Sequence, residues 1–246
     1  MLFAMRIRLN KFLSQAGVAS RRDADRMIAE GRIGVNNEVV QELGTKIDDD
    51  KDVITVDGQR IKPQAQCQYL IVNKPRGYLV TLNDPMARPT ILDLVPKLKS
   101  RVYPVGRLDF DSEGLLLLTN DGELAHRLMH PSYGIKKVYL VTVQHVPERS
   151  RLRMLEKGIR IDGKKTSPAK VRLLRSGSKR SLIRIELTEG RKREVRRMFA
   201  AIGHPVQDLK RIQFAGISLK NLKPGRWRYL TPDEILKLKK LTSLLQ

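Results

Sequence analysis

Cysteine is almost absent from this chain: Cys67 is the only one in 246 residues. A lone thiol excludes an internal disulfide and any cluster of thiolate metal ligands, and it suits a reducing cytoplasm. Long apolar runs are missing too. No stretch nears the roughly 20 residues of a spanning helix, so no membrane passage is expected. The segment before Arg6 is too short for a secretory leader, and Met1 and Met5 both stand as candidate starts. Aromatic residues make up only 5%, and Trp227, the one tryptophan, is expected in packing or at a sheet edge rather than as a platform for a base. Internal repeats, low-complexity tracts and G-x-x-x-x-G-K-[ST] phosphate loops are lacking. Negative charge is short above all: 26 Asp+Glu face 48 Lys+Arg, leaving +22. Such an excess points to a polyanionic partner, nucleic acid before an acidic membrane surface.

The chain is organised around residues 105–122, V-G-R-L-D-F-D-S-E-G-L-L-L-L-T-N-D-G. The apolar run Leu115–Thr119, bounded by Gly114 and by Asn120-Asp121-Gly122, has the length and flanks of a buried strand. Arg107 and Asp109 stand two apart and share a side of an extended backbone. A carboxylate beside a guanidinium keeps its charge and is usable as nucleophile or base. The plainer alternative is an ion pair that holds a turn. Asp109-x-Asp111-x-Glu113-Gly114 imitates half a calcium loop, but Asn120 occupies the place of the bidentate glutamate, so no calcium is expected. His126 and His130, four apart, lack a neighbouring glutamate and a third ligand, and no metal is assigned to them either.

The stretch G-R-L-D-F-D-S-E-G-L-L-L-L-T-N-D-G closely resembles the central motif of the RNA pseudouridine synthases, in particular the RsuA branch that acts on ribosomal RNA. N-K-P-R-G at 73–77, R-P-T-I-L-D-L at 88–94 and E-G-R-K-R-E-V-R-R-M at 189–198 continue the resemblance. The R-E-V-R-R wording looks more like the large-subunit enzymes.

Ahead of this lies a smaller module. Leu9, Phe12, Leu13 and Ala16 recur at helical spacing and Gly17 stops that helix. Ser20 and Asp23 form a capping box for a second helix, closed by Gly31. Ile33 and Val35 alternate as a strand before Asn36-Asn37, and Asp57-Gly58 marks a type I′ hairpin. Residues 1–62 carry eleven basic against ten acidic side chains, yet before residue 35 the count is seven against three. R-L-N-K-F-L-S-Q-A-G-V-A-S-R-R-D-A through E-G-R-I-G-V-N resembles the small RNA-binding domain named after ribosomal protein S-four. The resemblance implies RNA contacts from Arg8, Lys11, Arg21, Arg22 and Arg32, although a solvated helix face explains such arginines equally well.

Residues 63–68 are polar and aperiodic, a linker to a domain over 69–246; counted from residue 67, that part holds 37 basic against 16 acidic residues. Strands are expected at Tyr69–Val72, at 136–143, where Tyr139 shares a face with Lys137 and Val141, and at 171–174 and 181–187. Further strands follow within 209–219 and at 227–230. Val195, Met198, Phe199 and Ile202 place an apolar stripe on a helix among Arg191, Lys192, Arg193, Arg196 and Arg197. Thr231 to Glu234 caps a basic terminal helix.

The resemblance implies an α+β fold, a mixed and mostly antiparallel sheet with flanking helices, preceded by the small α/β module. It implies Asp109 as the catalytic nucleophile on a uridine flipped out of its stack, Arg196 holding that carboxylate, and Tyr139 against the base. Arg107 and Lys74 are then substrate contacts. An isomerisation needs no external group, so no cofactor is expected. The expected partner is ribosomal RNA, met in the cytoplasm by a monomer. A non-catalytic RNA-binding or ribosome-assembly protein would share the charge and the module, but would have no need of Asp109, Tyr139 and Arg196 together.

Overall fold

Four consecutive leucines, Leu115 to Leu118, have no polar face, and a strand built from them must be covered on both sides. The computed structural model describes residues 6–62, 66–96, 98 and 101–245. It divides into two compact units, one ending at Cys67 and the next starting at Gln68. The candidate starts and part of the expected linker, residues 63–65, lie outside the described residues.

In the first unit β1 (Ile7–Arg8) pairs with β4 (Lys46–Ile47), and α1 (Leu9–Gln15) packs on α2 (Arg21–Ala29). The strands β2 (Ile33–Val35), β3 (Glu38–Val39), β5 (Ile54–Val56) and β6 (Gln59–Ile61) form a sheet in the order β3-β2-β5-β6. Its turns use the residues that tolerate left-handed backbone: Asn36 and Asn37 have φ 52° and 71°, Asp57 and Gly58 48° and 78°. The Ser20 hydroxyl accepts from the Asp23 amide, as expected of a cap, but it also donates to the Asp23 carboxylate. The return half of the capping box is thus made by the hydroxyl. Leu9, Phe12, Leu13, Ile28, Ile33, Ile47 and Ile54 form the core.

The second unit is a nine-stranded sheet of order β13-β14-β10-β15-β9-β7-β17, with β8 beside β9 and β16 beside β15. Its strands are β7 (Tyr69–Lys74), β8 (Tyr103–Pro104), β9 (Glu113–Thr119), β10 (Lys137–Gln144) and β13 (Lys170–Ser176). They continue with β14 (Arg180–Leu187), β15 (Val206–Phe214), β16 (Ile217–Ser218) and β17 (Trp227–Tyr229). A separate hairpin pairs β11 (Arg160–Ile161) with β12 (Lys164–Lys165). Every pairing in the large sheet is antiparallel except the short β15–β9 seam. The helices are α3 (Gly122–Met129), α4 (Arg149–Lys157), α5 (Glu194–Ala201) and α6 (Pro232–Leu241).

The leucine run now has its explanation. Leu116 and Leu118 enter a core built with α4 and α5, while Leu115 and Leu117 face a second core with α3 and α6. Two expectations shift. The strand expected at Tyr69–Val72 runs on through Asn73 to Lys74, which pairs with Gly114. The basic segment 191–193 precedes α5 rather than lying on it, so no helical face relates Arg191 or Arg193 to later residues.

Candidate active site

The turn that carries Asp109 is held from below. Gly77 donates its amide to Phe110 O at 3.0 Å and Ser112 donates to Asp109 O at 3.1 Å. Lys74, fully buried, donates through Nζ to Pro75 O at 2.9 Å and Ser112 O at 2.8 Å. Burial pulls its ammonium down to about 8, against the opposing charges of Asp109, Asp111 and Glu113. Lys74 therefore corrects one expectation: its ammonium is committed to backbone carbonyls and shapes the turn instead of touching substrate.

Above that turn lies a cleft of about 510 Å³ lined by Arg107, Asp109, Ser112, Lys137, Tyr139 and Arg211, among others, with Leu187, Val195, Leu209 and Phe214 as apolar walls. The volume falls within the range of about 300–1,000 Å³ usual for small-molecule pockets. Asp109 is 32% exposed and forms its ion pair with Arg193 at 3.9 Å. Arg107 is exposed and is not within ion-pair distance of Asp109, so the pairing that the two-residue spacing invites is not formed.

The second correction concerns Arg196. It is 12% exposed and reaches Asp111, not Asp109: Nη2 lies 3.2 Å from the carboxylate and 3.0 Å from the backbone oxygen of Asp111, and Nη1 donates to Val206 O at 3.2 Å. Arg193 joins the same carboxylate through two 3.2 Å bonds. Burial raises the Asp111 carboxyl, but the Arg193 bond and the charges of Arg196 and Arg193 outweigh it and hold it below its usual range. Arg193 is a non-glycine residue at φ 51°, a strained backbone that turns its side chain back over the aspartates. Arg196 thus braces the turn through Asp111, while the cation at Asp109 is Arg193.

Tyr139 stands where the sequence placed it, buried on β10 and facing the cleft with Lys137. Sequence reasoning missed Arg211, which pairs with Tyr139 across β10 and β15 and with Gly114 across the parallel seam. The register slips between Val138 and Tyr139, leaving Ile212 as the extra residue beside Arg211. An arginine inside a strand expected within 209–219 was the available signal.

It also missed a pair of carboxyls. Glu194, 4% exposed, accepts the Arg191 amide at 3.0 Å, and Glu189 accepts the Ser167 amide at 2.6 Å and Arg191 Nε at 3.1 Å. Burial, then the hydrogen bond to Glu189, pushes Glu194 up to about 7; Glu189 is held below its usual value, despite its burial, chiefly by the bond from Glu194. Glu194 is therefore the member of the pair that keeps its proton to higher pH. A carboxyl raised in the folded state stabilises fully below its unfolded pKa, and that contribution is lost as pH rises through about 7. Glu194→Gln, which donates to Glu189 without titrating, is expected to flatten the fall in stability between pH 5 and pH 8, by on the order of 1–3 kcal/mol. Urea unfolding of both proteins across that range checks this; equal pH slopes would refute it.

Among the described residues, three carboxylates close enough to share a cation occur only at Asp48, Asp49 and Asp50, in the first unit. In that unit Arg8, Arg21 and Arg22 are exposed and Lys11 is half-buried. Arg32 is exposed as well, and its guanidinium is bound by both Asp57 oxygens at 3.0 and 2.7 Å. Arg21 and Arg22 sit in the first turn of α2, where cations oppose the helix dipole and do nothing for local stability.

A family model described as RNA pseudouridylate synthase matches residues 68–201, more than half the chain. The chain belongs to that family. An S4 domain model matches residues 7–54, within the first unit. An uncharacterized RNA pseudouridine synthase of Aquifex aeolicus is 46% identical, over 98% of this chain and 96% of its own. The ribosomal large subunit pseudouridine synthase B of Bacillus subtilis is also 46% identical, over 95% and 96%. A crystal structure of a pseudouridylate synthase superposes with a TM-score of 0.69 at 31% identity, over 94% of this chain and 99% of the other. The protein is an RNA pseudouridine synthase with an S4 domain in front, and the mixed, mostly antiparallel sheet is that of its family.

Proposed function

We propose that this synthase converts a uridine of large-subunit ribosomal RNA to pseudouridine, with Asp109 as the nucleophile on a uridine flipped into the cleft. The observation that carries the reading is one pocket in which a carboxylate, a tyrosine and two cations meet apolar walls. The net reaction breaks the bond from the ribose C1′ to uracil N1 and forms one from C1′ to C5. The C5 hydrogen leaves as a proton and N1 gains one, so no group is needed from outside. Asp109 is open to the cleft with the Arg193 guanidinium 3.9 Å from its carboxylate, and Arg196 and Lys74 hold the turn beneath it. Tyr139 is buried in the wall of the cleft, and its ring is the aromatic surface there on which a base can pack.

Extruding a base costs a few kcal/mol. Backbone contacts by a part of the chain with 37 basic against 16 acidic residues offset it. Arg107, exposed at the cleft, is the proposed substrate contact at its rim, and Arg8, Arg21 and Arg22 of the S4 domain are proposed to fix register on the RNA. The large-subunit assignment is supported by the Bacillus relative, and on this reading the enzyme meets that RNA in the cytoplasm.

Mapping pseudouridines in ribosomal RNA from cells with and without this protein tests the reading. One large-subunit position is expected to revert to uridine, and purified enzyme is expected to restore it. Reversion in small-subunit RNA, or at no position, refutes the assignment.

A further inference from the structure

Arg211 is 2% exposed, yet it lines the cleft. Its guanidinium is fixed on two sides: Nε donates to Leu115 O at 2.7 Å, and the central carbon lies 5.0 Å from the centre of the Phe214 ring. The third side is unspent. Nη2 is buried and has no hydrogen-bond partner, and neither has Ser112 Oγ in the same cleft. A buried donor without an acceptor carries its full desolvation cost, and such groups in native structures mark a place for a ligand or a water. Lys137 adds a second cation: its Nζ donates only to Ile135 O at 3.0 Å, and burial and then the charge of Arg211 hold its ammonium below the usual range. Among the described residues neither cation forms an ion pair.

We propose that Arg211 is a further substrate-contacting residue, donating from its guanidinium to a carbonyl oxygen of the flipped uracil. The inference rests on the reading of this cleft as the uridine pocket. A phosphate is a poor occupant, because it stays hydrated on the RNA backbone, where exposed cations such as Arg107 meet it. A base is flat, can enter edge first, and carries carbonyl oxygens on its edge. When the C1′–N1 bond breaks, its electron pair passes to the base and spreads onto those oxygens. A fixed guanidinium then binds the detached base more strongly than the intact nucleoside, which lowers the barrier rather than only tightening binding. Arg211 keeps all its protons throughout. The register that sets Arg211 against both Tyr139 and Gly114 puts this donor on the wall shared with the tyrosine.

The test uses the full chain and an rRNA fragment bearing the mapped uridine, under single-turnover conditions, with uridine, 2-thiouridine or 4-thiouridine at the target. Sulfur is a weak acceptor, so the wild-type enzyme is expected to slow about tenfold with one of the two thio bases. Arg211→Met is expected to slow uridine conversion about 100-fold, to keep RNA affinity and its salt dependence, and to lose the thio discrimination. Arg211→Lys should recover part of the rate. The inference is overturned if Arg211→Met works at the wild-type rate, or if its defect is weaker RNA binding with a flatter salt slope. Full-rate conversion of both thio bases by the wild-type enzyme overturns it as well, whether or not Arg211→Met folds. Asp109→Asn run beside it separates the two readings. An inactive Asp109→Asn with a fast Arg211→Met removes only Arg211, whereas an active Asp109→Asn removes the pocket assignment itself.

Discussion

Asp109→Asn is expected to abolish pseudouridine formation, by about 10³-fold or more, while leaving the fold and RNA affinity in place. Asparagine keeps the shape of the side chain but lacks the anion that attacks. The structure explains why the loss should be confined to chemistry. Asp109 contributes one partly exposed ion pair at 3.9 Å, and exposed pairs of this kind are worth about 0–1 kcal/mol. Arg193 keeps its two bonds to Asp111, and the turn keeps its anchors at Lys74 and Gly77. Single-turnover conversion measured beside binding at matched salt decides the matter. Residual turnover within about tenfold of wild type would remove Asp109 from the nucleophile's role.

Gly114→Ala is expected to be the most damaging small substitution in the chain. Gly114 has φ +113°, a conformation closed to residues with a Cβ. A Cβ built there falls closer than 3.0 Å to three backbone atoms of Arg211, its partner across the parallel seam. A crowded side chain can swing away, but a paired backbone can yield only by opening the sheet between β15 and β9. Backbone strain and overpacking together amount to roughly 2–6 kcal/mol, a large share of the roughly 5–15 kcal/mol that holds a domain. Activity should fall with it, because Lys74 and Arg211 both pair with Gly114. Gly122, with open space around it at the start of α3, serves as the control: Gly122→Ala should be neutral. Urea denaturation compares the two, and a Gly114→Ala protein within about 1 kcal/mol of wild type would show that the seam is softer than described.

Much of this molecule is written locally. The caps at Ser20, Asp121 and Thr231, the left-handed turns at Asn36-Asn37 and Asp57-Gly58, and the two-sided burial of Leu115–Leu118 all depend on residues a few positions apart. Sequence alone therefore determined these caps and turns, the strand that follows the Asp109 motif, and the face of Tyr139. Tertiary structure decided the company these residues keep. Lys74 turns inward because β7 runs on beneath the Asp109 turn, and Arg32 is tied to Asp57, 25 residues away. Arg193, not Arg196, meets Asp109, because the segment before α5 folds back through a left-handed residue. Arg211 enters the cleft only through strand register, its Nε on a carbonyl 96 residues distant. The placements of Lys74 and Arg211 depend on how whole strands align, and a one-residue slip would turn each of those two side chains to the opposite face.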